Sequence, residues 1–147
     1  MGDKDIQKLI ERHEGRVNHV YSDSLKIPTL GIGHALHIGS PVSDEIVDLF
    51  FAADFKSACD DYERLHIDLD PVRRAVIIDM LFALGLPKLR RFFRMLEAIR
   101  KKDYERAADE LLDSDWANTV DPIRGDNKGR ADELAYTMRT GKQLKEV

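Results

Sequence analysis

Three residues with chemistry to offer stand close together near the start of the chain. Asp23 follows Glu14 by nine residues and Thr29 follows it by fifteen, within the run that ends Thr29-Leu-Gly-Ile-Gly-His34. One carboxyl can protonate a leaving oxygen while a second carboxylate and a hydroxyl hold a water on the other face of a sugar ring, which is acid–base cleavage of a glycosidic bond. Such a pair requires two environments. The acid keeps its proton where it is partly buried, and the second carboxylate stays ionised where it is wetter.

The local pattern predicts elements that would position these groups. Ile6, Leu9, Ile10 and the ring of His13 repeat at helical spacing, with Asp3 or Asp5 as N-cap and Gly15 as a stop, so a first helix ends at Glu14. Val17, Val20 and Tyr21 suit a strand, Ser22-Asp23-Ser24 a turn, and Ile27 to Ile32 a return strand interrupted by Pro28. A hairpin folded back on the helix end brings Asp23 and Thr29 to face Glu14. Gly31 and Gly33 supply backbone that can approach closely or take positive φ.

Beyond residue 42 the period becomes helical. Ser43 caps a helix of about 22 residues and about 33 Å that begins Asp44-Glu45. Pro71 opens a largely apolar helix with Asp79 as its polar exception, ended by Gly85 and Pro87. Leu89 to Ile99, Tyr104 to Leu112 and Arg130 to Met138 predict three further helices, Trp116 a core anchor, and residues 118 to 129 the clearest loop.

Composition bounds the possibilities. With 147 residues, 43% hydrophobic and 34% charged, the chain suits one globular domain that buries a core without staples. No run approaches the roughly 20 apolar residues of a membrane span, and the start lacks the pattern of a secretory signal. The expectation is a protein made in the cytoplasm without stable membrane association. A single cysteine, Cys59, allows no internal disulfide, and its place on an amphipathic helix suggests burial rather than reactivity. The net charge of −4 argues against a nucleic-acid partner. Residues 71 to 102 are nevertheless basic, with nine Lys/Arg against two Asp/Glu. They form either a surface that attracts an anionic polymer or a solvated helix face.

Other motifs fail. His13-Glu14 would begin a zinc-protease helix, but Val17 stands where the second histidine belongs. His34 and His37 are spaced for one helix face, yet they lack further ligands, so no metal is expected. Leu36 replaces the third glycine of a dinucleotide fingerprint, and no cofactor is implied.

Glu14-Gly15, the Tyr21-Ser-Asp23 turn and Thr29-Leu-Gly31-Ile-Gly33-His34 resemble the phage-type lysozymes of glycoside hydrolase family 24. Leu69 to Met80, Arg94-Met-Leu96, Ala107-Ala108, Trp116, Arg130-Ala131 and Met138-Arg-Thr-Gly141 extend the resemblance over nearly the whole chain. It implies a lysozyme-like α+β fold: a hairpin lobe at residues 13–42, a connecting helix at 43–66, and a helical lobe from 67–147 with 1–12, with a cleft between the lobes. It also implies a muramidase acting on the β-1,4 bonds between N-acetylmuramic acid and N-acetylglucosamine of bacterial peptidoglycan, with inversion, for host cell lysis.

Glu14 would be the general acid. Asp23 would stabilise the oxocarbenium-like state or help activate water, and Thr29 would hold that water. His34 would pair with Asp54 to seat the hairpin, and Arg130 would lie against the acid. The protein would act as a monomeric endolysin of a phage or prophage, held in the host cytoplasm until a holin opens its way to the wall. Two departures stand out: the segment between His34 and Ser43 is shorter than in the family, and Ala83 replaces a polar cleft residue. An alternative keeps the fold as a catalytically inactive wall-binding module. A plain helical interaction protein leaves the Thr29 to His34 run unexplained.

Overall fold

The computed structural model describes residues 1–120 and 129–143. Among these residues, eight helices accompany one three-stranded antiparallel sheet, the α+β class expected. The chain divides into two compact units, Met1–Val47 and Asp48–Val147.

In the first unit, α1 (Asp3–Glu14) is capped by Gly2 rather than by Asp3 or Asp5. Asp5 instead accepts a hydrogen bond from the Gly2 N–H at 3.0 Å, because a carboxylate inside the first turn can reach back to the exposed donor. Gly15, at φ 78°, ends the helix, its N–H bonding the Glu11 carbonyl at 2.8 Å. Strands β1 (Val17–Ser22), β2 (Pro28–Gly31) and β3 (His34–Ala35) follow in spatial order. Tyr21 pairs with Thr29 and Ser22 with Pro28, and an irregularity separates these from the Val17–Gly31 pair. Pro28 opens its strand, a position where its missing N–H breaks no ladder in the strand interior. His34 pairs with Leu30 in a short strand that the pattern did not suggest. That pairing rules out the single helix face considered for His34 and His37.

Helix α2 (Asp44–Arg64) starts as expected, with Ser43 Oγ accepting from the Ile46 N–H at 3.4 Å. In the second unit, α3 (Pro71–Leu84) is the core helix: Val76, Ile77, Ile78, Met80 and Leu81 are buried. Asp70 caps it by accepting from Val72 and Arg73 N–H groups at 3.1 and 3.0 Å. The single helix expected over Leu89 to Ile99 is two, α4 (Leu86–Leu89) and α5 (Phe93–Arg100). Phe92, at φ −79° and ψ 48°, leaves helical geometry between them. The bend lets Leu89 and then Met95, Leu96, Ala98 and Ile99 all face the core.

Helix α6 (Tyr104–Leu112) matches its expected limits. Helix α7 (Asp115–Val120) occupies the start of the expected 118 to 129 loop, nucleated by Ser114 Oγ accepting from the Ala117 N–H at 3.1 Å. Most of that loop, residues 121–128, lies outside the described residues. Helix α8 (Arg130–Thr140) ends in left-handed Gly141. Ile77, Met80, Leu111 and Met138 centre the core, against which Cys59 and Trp116 pack half-buried. Among the described residues, no helix is long and apolar enough to cross a membrane.

Candidate active site

Glu14 is the last residue of α1, and the turn at Gly15 sends the chain directly into β1. The sheet returns to it. A Cβ placed on Gly33 would lie 2.6 Å from Glu14 Oε2 and 2.8 Å from its Cδ, so the carboxyl rests on the bare α-carbon of the β2–β3 turn. Gly33 has φ 67° and Gly31 φ 66°, values that suit glycine in the tight turn. Within its unit the Glu14 side chain is otherwise exposed. A residue at the exit of a short helix has no further turn to cover it.

Asp23 and Thr29 are joined through Ile27. Asp23 Oδ1 accepts from the N–H groups of Leu25 and Ile27, both at 2.8 Å, while the Asp23 N–H donates to the Ile27 carbonyl at 3.0 Å. Thr29 Oγ1 donates to the same carbonyl at 2.9 Å, and Thr29 is buried. These bonds explain why an aspartate begins this turn: its carboxylate satisfies donors that the strands cannot. They also leave Oδ2 of Asp23 without a hydrogen bond inside the unit. The hydroxyl of Thr29 has spent its proton, so toward a water it offers lone pairs.

In the second unit, Arg130 at the start of α8 lies on Asp79 of α3. Nε and Nη2 approach Asp79 Oδ1 at 2.8 and 2.7 Å, and Nη2 also reaches the Asp79 carbonyl at 3.3 Å. The guanidinium stands 5.8 Å above the Trp116 ring. Sequence reasoning did not assign Asp79 a partner. The signal was present, because a lone carboxylate on an otherwise apolar helix calls for a counter-charge. Asp54 and Ala83 are exposed in this unit, and His34 is exposed in the first.

A helix-end carboxyl seated on a glycine turn, an aspartate-centred hairpin and a following helical unit define a lysozyme-like α+β protein. The chain belongs to the phage lysozyme family, whose model matches residues 11–133 and so includes Glu14, Asp23, Thr29 and Arg130. It is also similar to a protein of Dictyostelium discoideum named Probable T4-type lysozyme 2, at 28% identity over 113 residues. That match covers 70% of this chain and 66% of the relative, just under two thirds of its length.

Proposed function

We propose that this protein is a muramidase that hydrolyses the β-1,4 bonds between N-acetylmuramic acid and N-acetylglucosamine of bacterial peptidoglycan. The observation that carries this reading is the seating of the Glu14 carboxyl on Gly33, one turn beyond the strand that holds Thr29. Membership of the phage lysozyme family supports it.

In the proposed mechanism Glu14 gives its proton to the glycosidic oxygen as the bond to the anomeric carbon breaks. The sugar bound over the exposed carboxyl would supply the water-free setting that the unit alone does not. Asp23 Oδ2 faces the developing positive charge or takes a proton from the attacking water. Thr29 Oγ1, its proton donated to Ile27, accepts a hydrogen bond from that water and orients it. Attack from the face opposite the leaving group inverts the anomeric centre, which requires the two carboxyls to stand about 6.5 to 9.5 Å apart. Gly31, Gly33, His34, Asp54 and Arg130 are the proposed supporting residues. The division into residues 13–42, 43–66 and 67–147 with 1–12 is retained as part of this proposal. So are a monomeric state, release from the host cytoplasm by a holin, and a role in lysis.

Product analysis after wall digestion tests the reaction. New reducing ends on muramic acid are expected; ends on glucosamine, or anhydro products, would overturn the assignment. Proton NMR of the first-formed anomer reads inversion directly. Binding to walls without clearing them by wild-type protein would favour the inactive wall-binding module instead.

A further inference from the structure

The basic block of residues 71 to 102 has no part in that chemistry, and the structure divides it among distinct settings. Arg73 and Arg74 lie over aromatic rings, at 3.8 Å from the centroid of Tyr104 and 5.0 Å from that of Tyr62. Lys88, Arg91 and Arg94 line a cavity of about 580 Å³ that Glu110, Asp113 and Asp115 also line, so opposite charges oppose them there. Arg90 and Arg100 differ. With Arg64 and His66 they line a second cavity, of about 470 Å³, whose remaining walls are Leu65, Phe93 and Leu96. Among the described residues, no carboxylate lines it.

The cations around this second cavity are only partly engaged. Arg64 pairs with Asp61 at 2.6 Å and Arg100 donates to the Leu65 carbonyl at 3.3 Å, whereas the Arg90 guanidinium makes no hydrogen bond or ion pair among the described residues. His66 takes φ 50°, an unusual conformation for a residue with a side chain, at the bend between α2 and α3. Three guanidinium groups around one cavity repel each other, and an anion among them would relieve that repulsion.

We propose that this cavity binds a phosphate group, as a monoester or diester, with the arginines on its oxygens and the ester's carbon chain against Leu65, Phe93 and Leu96. Guanidinium forks match phosphate geometry, and the apolar wall favours an organic phosphate over a bare ion. The site stands apart from the hydrolytic reading, because none of the residues that line it is among those proposed for hydrolysis.

Titration of the folded protein with inorganic phosphate, followed by NMR of the His66 ring and the backbone amides of residues 64 to 66, tests the proposal. Saturable shifts are expected at concentrations of about 10 mM or below. Arg90→Ala should weaken binding about tenfold, and Arg64→Ala should also weaken it, with unchanged melting temperature checking the fold. Lys102→Ala, which removes a charge two residues from Arg100 that does not line the cavity, should leave it unchanged. Absence of saturation, or equal weakening by Lys102→Ala, would overturn the site in favour of diffuse attraction. If Arg90→Ala does not fold, Arg90→Lys keeps the charge but removes the fork, and undiminished binding by it would count against the assignment. Competition then separates the sources of the phosphate. Displacement by a glycerol-phosphate polymer assigns a wall polymer, displacement by vesicles containing anionic phospholipid assigns a headgroup, and displacement by neither assigns a small phosphate ester.

Discussion

The Glu14 carboxyl lies on the α-carbon of Gly33, so close that a methyl group at that position would overlap its oxygen at 2.6 Å. Gly31 has nearly the same φ, 66° against 67°, but open space where its Cβ would stand. The two glycines therefore separate a backbone requirement from a positional one. Both substitutions to alanine should cost about 1 to 2 kcal/mol of stability through the left-handed backbone. Gly33→Ala should additionally displace the acid and lower the rate of wall clearing about tenfold more than Gly31→Ala does. Equal activity losses in the two variants, measured beside their melting temperatures, would refute a positioning role for Gly33.

Replacing the acid itself gives a simpler expectation. Glu14→Gln removes the transferable proton from an exposed side chain that makes no hydrogen bond within its unit. Stability should change by less than about 0.5 kcal/mol while wall clearing falls about a hundredfold or more. Clearing at the wild-type rate would sink the proposed mechanism.

Asp23 has a structural duty as well as a chemical one. Asp23→Ala orphans the N–H groups of Leu25 and Ile27 and should destabilise the turn by about 1 to 3 kcal/mol. Asp23→Asn keeps an acceptor oxygen and should cost about 1 kcal/mol or less, so an activity loss in that variant reports the missing charge. Thermal melts paired with clearing assays distinguish the two effects.

Arg73 ties α3 to the end of α8. Its Nε donates to the Met138 carbonyl at 2.6 Å, Nη2 to the Arg139 carbonyl at 3.3 Å and Nη1 to Asp70 at 2.9 Å, with the guanidinium stacked on Tyr104. Arg73→Lys cannot reproduce that planar set of donors. It should lower stability by about 2 kcal/mol, or a melting temperature by about 4 to 8 °C in a chain of this size. A shift below about 1 °C would show that these contacts contribute little.

The same cluster makes a pH prediction. Burial pushes the Asp70 carboxyl upward, but the backbone N–H of Arg73, its guanidinium and the N–H of Val72 together hold it below the ordinary carboxylate value. Its folded pKa is thus lower than its unfolded one. The stabilisation is fully present above the unfolded value of about 3.9 and is lost as pH falls through the folded value. Asp70→Asn should be less stable at neutral pH and should lose less stability on acidification below about pH 4. Parallel acid limbs in urea melts of the two proteins would contradict this.

Much of the scaffold was legible because the signals are local. Gly15 and Gly85 mark helix ends by conformations that favour glycine, and Pro71 marks a helix start. The break between α4 and α5 was not legible. Leu89 and Met95 both carry an apolar period, and only the direction of the core shows that the chain must bend between them. Likewise β3 contains two residues, too few to display alternation, and exists because Leu30 offers His34 a partner.

For the site, the types and spacing of Glu14, Asp23 and Thr29 followed from the sequence alone, since they depend on one helix end and one hairpin. Tertiary structure alone decided that Gly33 seats the Glu14 carboxyl, that Arg130 lies on Asp79, and that some cations of the basic block line a cavity with carboxylates and others a cavity with none among the described residues. Periodicity and turn chemistry report the preferences of neighbouring residues. Those three relationships join side chains distant along the chain, and only packing sets which of them meet.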